Sequence, residues 1–168
     1  MKVRAMAGND EIATVYIAEL EGGALVEFVE SVQPPVPRNE KWVLILSTLI
    51  GCPAGCRFCD AGGTYTGKVS AGEMLEQIDF MVRRRYPDGR VPAPRFKVQF
   101  ARMGEPSLND GVIEVLEKLP GLYDAPGLIP ALLKKPHHET VGGIIETSTG
   151  AVTGIRNMRT QKSPYPPR

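Results

Sequence analysis

Between residues 12 and 32 the apolar and polar positions alternate. IATVYIAEL and ALVEFVESV are β-rich runs joined at Glu21-Gly22-Gly23, a pattern that predicts a β-hairpin. The prolines of Gln33-Pro34-Pro35-Val36-Pro37 end the pairing, because proline has no N–H to give to a ladder. The pattern then changes: WVLILSTLI (42–50) is almost continuously apolar, as suits a strand buried on both faces. Ser70-Ala71-Gly72-Glu73 spells a capping box, and the helix behind it sets Met74, Ile78, Met81 and Val82 on one face. Arg83, Arg84 and Arg85 suit the negative end of that helix and read as a solvated terminus rather than an RNA patch. Phe96, Val98 and Phe100 alternate with Lys97, Gln99 and Ala101 as a short strand. Asn109 or Asp110 then caps a second helix with Val112, Val115, Leu116 and Leu119 inward, and Gly127-Leu128-Ile129-Pro130 begins a third strand.

Residues 42–133 therefore read strand–helix–strand–helix–strand, an α/β body of βα units on a parallel sheet with right-handed crossovers. Three regions follow: an N-terminal β-hairpin extension (1–41), the βα body (42–133) and a tail (134–168). The tail holds six Lys/Arg against two Glu and has no sustained period, which predicts a basic, poorly ordered segment. The length of 168 residues suits one domain, and the net charge of +1 gives no general push toward nucleic acid, membrane or acidic partners. No membrane span and no apolar signal core are visible, so a cytoplasmic protein is expected.

All three cysteines, Cys52, Cys56 and Cys59, lie in GCPAGCRFC. An odd number so close together argues against a disulfide framework and for a metal or redox site in a reducing compartment. Zinc accepts such spacing, but a closed structural site wants four ligands, and Asp60, His137 and His138 are poorly placed to supply the fourth. A 4Fe-4S cluster usually takes four cysteines; with three, one iron stays open to a substrate or cofactor. Both metals fit the residues alone.

Cys52-Pro53-Ala54-Gly55-Cys56-Arg57-Phe58-Cys59, with an aromatic before the last cysteine, resembles the cluster motif of the radical S-adenosylmethionine superfamily. VEFVESVQPPVPRNEKWVLILSTLIGCPAGCRFCDAGG and Met103-Gly104-Glu105-Pro106-Ser107-Leu108-Asn109 resemble its RlmN/Cfr branch of ribosomal-RNA adenine methyltransferases, in the right order and spacing. The likeness runs from about residue 14 to about residue 130. It implies a partial (β/α) radical-SAM barrel of about three βα units after the hairpin. It implies a 4Fe-4S cluster on Cys52, Cys56 and Cys59, with S-adenosyl-L-methionine on the open iron. An electron from a donor such as flavodoxin or ferredoxin would then cleave the cofactor to a 5′-deoxyadenosyl radical. Phe58 would lie against the adenine, and Gly104, Glu105 and Pro106 would bind the cofactor, with Glu105 facing its ammonium. The substrate is open, RNA included.

The chain also departs from that branch. Its methyl transfer needs a cysteine seven residues before the first cluster cysteine and another far downstream; here Ile45 occupies the first position and no cysteine follows Cys59. Leu49 replaces a glutamine, and Arg102 stands where glycine is usual. A full barrel takes about 250 residues, whereas 42–133 is 92. The expectation is a truncated or frameshifted member that cleaves S-adenosylmethionine and does not methylate RNA by the two-cysteine route. The alternative is a non-catalytic structural zinc- or iron-sulfur-binding module. A nucleic-acid-binding fragment using the basic tail is weaker, because Tyr165 is the tail's only aromatic.

Overall fold

The computed structural model describes residues 1–57, 59 and 63–131, the last three by backbone alone. Phe58, Asp60, His137, His138 and the tail 134–168 lie outside the described residues.

The chain begins with β1 (Lys2–Gly8), β2 (Ala13–Glu19) and β3 (Leu25–Ser31), paired antiparallel in sequence order. Alternation predicts β2 and β3. It is silent on β1, whose residues are mostly exposed and so carry no burial pattern. Next comes β4 (Lys41–Ile45), antiparallel to β3 on one side and parallel to β7 (Arg95–Gln99) on the other. Strand β8 (Leu128–Ala131) runs parallel to β7, giving one six-stranded sheet in the order β1-β2-β3-β4-β7-β8.

The apolar run 42–50 is not one strand. It leaves the sheet after Ile45, and Leu49–Ile50 (β5) pairs instead with Gly67–Lys68 (β6) in a separate two-stranded ribbon. The reason lies in hydrogen bonding. Leu46 N donates to Gln99 O at 2.7 Å and Thr48 N to Met103 O at 2.8 Å, so the backbone turns toward the exit of β7.

Helix α1 (Ala71–Arg85) carries β4 toward β7 and starts with a complete capping box, Ser70 with Glu73. Helix α2 (Gly111–Lys118) connects β7 to β8; its first turn is served by Asn109, whose Oδ1 accepts from Gly111 N at 3.0 Å. Both helices bear on one face of the sheet. Tyr16, Phe28, Trp42, Leu44, Phe96 and Val98 all point there, and all are fully buried with Met74, Ile78, Met81, Val82, Val112 and Val115. Burying a side chain of this kind contributes roughly 1.5–3 kcal/mol, so this face is the main source of stability.

Within it lies a buried charge, Glu30. Glu30 is fully buried and accepts from Tyr16 Oη, from Trp42 Nε1 at 3.2 Å and from Arg85 Nε at 3.0 Å, with Arg38 Nε at 3.9 Å. Arg85 also pairs with Asp10. The last turn of α1 is thus held to the β1–β2 loop and to β3.

Removing the charge of Glu30 leaves Arg85 partly uncompensated. Glu30→Gln should lower the unfolding free energy by about 3 kcal/mol in urea denaturation. Burial first, then the hydrogen bond to Glu30, pushes the Tyr16 phenol up to about 12. A folded-state value above the unfolded one gives a contribution that is full below about pH 10 and lost toward about pH 12. Urea midpoints should accordingly fall across that window, and less steeply in Tyr16→Phe.

Candidate functional site

The three cysteines lie on the loop between β5 and β6, whose register pairs Leu49 with Lys68 and Ile50 with Gly67. The loop folds back tightly. Gly51 has φ +70°, and a Cβ there would stand 2.5 Å from the Thr64 carbonyl carbon and 2.9 Å from Tyr65 Cα. Only glycine allows that backbone approach. A turn between the second and third cysteines is closed by Cys59 N donating to Cys56 O at 3.1 Å. Cys52 and Cys56 are half-buried, Cys59 is exposed, and all three are free thiols.

The second motif follows β7. Met103 O accepts from Thr48 N and from Leu49 N, while Arg102 N donates to Leu46 O at 2.9 Å. The segment carrying Gly104, Glu105 and Pro106 therefore lies along the start of the cysteine hairpin. Because β4 and β7 are parallel neighbours, both motifs emerge at the same carboxyl edge of the sheet. Gly104 has φ +99°, and a Cβ would meet Leu49 Cβ at 2.5 Å and Leu49 N at 2.7 Å. Its close approach is to the hairpin. Glu105 is buried, and its Oε1 accepts from Ser107 N at 3.3 Å at the head of a single 3-10 turn, Pro106–Leu108.

Three polar side chains at this edge, Ser47, Gln77 and Asn109, bond the backbone around the two motifs. Ser47 receives Gln77 on both backbone groups: Ser47 N donates to Gln77 Oε1 at 3.0 Å, and Gln77 Nε2 donates to Ser47 O at 3.3 Å. Ser47 Oγ bonds Glu27 O and accepts from Met103 N at 3.1 Å. Asn109, read from sequence as a helix cap, also donates to Thr48 O and Val69 O, each at 2.7 Å. The available signal is a polar residue inside an apolar stripe: Ser47-Thr48 within 42–50, and Gln77 beside Ile78 on the buried side of α1. The two departures are accommodated locally. Leu49 is buried against Gly104, and Arg102 Nε donates to Glu27 on β3 at 2.9 Å.

The donors fit a cluster chemically: three free thiols on one short loop, with no disulfide consuming them. Among the described residues, no three His, Cys, Asp or Glu side chains are already drawn together as a metal cage.

The chain is 35% identical over 92 residues to a dual-specificity RNA methyltransferase RlmN from Helicobacter hepaticus, covering 52% of this chain and 24% of that one. It is 32% identical over 95 residues to the RlmN of Halorhodospira halophila (56% and 24% covered). It is also 37% identical over 75 residues to a probable RlmN of Thermus thermophilus (44% and 20%). Over these residues the chain is RlmN-like. It spans about a quarter, or less, of the length of these curated relatives. In fold it is similar to a crystal structure of a radical SAM methyltransferase from Sphaerobacter thermophilus. That likeness has a TM-score of 0.58 and 23% identity, covering 77% of this chain and 38% of that one. No family model matches.

Two glycines on the RlmN-like loop separate crowding from backbone conformation. Gly55 has φ +61° with open space around it, whereas Gly51 has the Thr64–Tyr65 backbone against it. Gly55→Ala should cost about 1 kcal/mol, the left-handed term alone. Gly51→Ala should cost about 3 kcal/mol in thermal unfolding, because the loop closure must also open.

Proposed function

We propose that this chain is a radical S-adenosylmethionine protein in which Cys52, Cys56 and Cys59 hold a 4Fe-4S cluster. The observation carrying the reading is the pairing of two segments at one sheet edge. Three free thiols follow β4, and Gly104, Glu105 and Pro106 follow the parallel neighbour β7, in a stretch that is RlmN-like. A cluster with one iron free of protein ligands would supply the electron that cleaves S-adenosylmethionine to a 5′-deoxyadenosyl radical.

This chain's own residues bind and orient. The thiolates fix the cluster. Glu105, whose carboxylate is buried beside Pro106, would hold the cofactor's ammonium in a charge-assisted contact. By the resemblance, Phe58 would cover the adenine, and the protein would keep water from the reacting carbon. The electron donor is a flavodoxin- or ferredoxin-type protein, the compartment is the cytoplasm, and the substrate is an RNA, the class named for its relatives. Among the described residues no helix is long and apolar enough to cross a membrane.

Methyl transfer through a cysteine thioether is not part of the proposal. Ile45 stands seven residues before Cys52, in register with Val29 on one side and Gln99 on the other. A hydrocarbon there leaves the two-cysteine route without the first of its thiols.

Anaerobic reconstitution with iron and sulfide, followed by electron paramagnetic resonance of the reduced protein, tests the reading. A 4Fe-4S signal that shifts on adding S-adenosylmethionine, and is lost in Cys56→Ser, is the expected result. Zinc bound in preference, or a cluster whose signal ignores the cofactor, would point to a structural metal module and overturn the proposal.

A further inference from the structure

Asn109 makes more bonds than a helix cap needs. Capping α2 uses only Oδ1, which accepts from Gly111 N at 3.0 Å; serine or aspartate would serve equally well there. The Nδ2 group does something separate. It donates to Thr48 O and to Val69 O, each at 2.7 Å, from a side chain that is 4% exposed. Thr48 directly precedes β5 and Val69 directly follows β6, so these carbonyls are the two feet of the hairpin that carries the cysteines. Val69 N donates to Thr48 O at 3.0 Å, and Thr66 N to Ile50 O at 2.9 Å, completing the closure.

We infer that Asn109 is a positioning residue for the thiol loop. One carboxamide clamps both ends of the excursion to the segment bearing Gly104, Glu105 and Pro106, so that thiols and cofactor-facing residues keep one relative placement. The chemistry is specific. Two donors and one acceptor on a planar group satisfy two carbonyls and one N–H at once, whereas aspartate would turn oxygens toward both carbonyls and serine cannot reach them. The residue acts through the loop and touches no metal itself. The inference rests on the reading of the cysteines as ligands, and its test is arranged to tell the two apart.

The test uses the full chain, reduced and anaerobic, with cadmium as a thiolate probe followed by charge-transfer absorbance. Amide hydrogen exchange at Thr66 and Val69 is read in parallel. Asn109→Ser keeps a capping oxygen and loses the clamp. Val115→Ala, a cavity in the buried face of α2, controls for simple loss of stability. Asn109→Ser should weaken cadmium binding about tenfold, as loss of a ligand-orienting partner does, and should speed exchange at both amides. Val115→Ala should leave cadmium affinity at the parent value. Parent-like affinity and exchange in Asn109→Ser, or equal weakening in Val115→Ala, would overturn the inference. If the parent chain binds no cadmium through its thiols, the ligand reading fails, and exchange at Thr66 and Val69 alone decides whether the clamp exists.

Discussion

The arrangement at the carboxyl edge of the sheet depends on where the backbone donors between Leu46 and Leu49 find acceptors. This stretch is fully buried, and a buried N–H without a partner costs more than a formed hydrogen bond gains. Leu46 takes Gln99 O, Ser47 takes the Gln77 side chain, and Thr48 and Leu49 share Met103 O. Each acceptor belongs to a different part of the βα body. The root of the cysteine hairpin is therefore fixed by the strand beside it and by the helix that follows it, and cannot move without disturbing both.

The helices and the parallel strands are legible in the sequence because their signals are local. A capping box, a four-residue apolar stripe and a period-two alternation each declare an element without reference to the rest of the chain. The end of β4 is not legible in that way. WVLILSTLI has no turn residue at Leu46, and the strand stops there because acceptors arrive from residues 99–103, more than fifty positions away. Strand β1 is hidden for the opposite reason: its exposed residues meet no selective packing, and only its pairing to β2 shows it.

Of the site, the cysteines and the Gly104–Glu105–Pro106 segment are visible as spacing, and their adjacency follows from parallel pairing of β4 with β7. Ser47, Gln77 and Asn109 are not visible as a group. Ser47 and Gln77 look like ordinary polar residues and Asn109 like a motif residue and cap, and their common role appears only when their side chains bond the adjoining backbone of Ser47, Thr48, Val69 and Met103. Glu30 works similarly on the other side of the core, drawing Tyr16, Trp42 and Arg85 from three elements onto one carboxylate. The antiparallel strands and the βα body consequently share one interior.

The place of β3 beside β4 has a topological consequence. The first parallel strand already has a hydrogen-bonded neighbour on each flank, β3 and β7. A cylinder of strands closes by joining its last strand to its first, and that flank of β4 is taken. Among the described residues the parallel strand with a free hydrogen-bonding edge is therefore β8, while the antiparallel strands hold the other flank of the array.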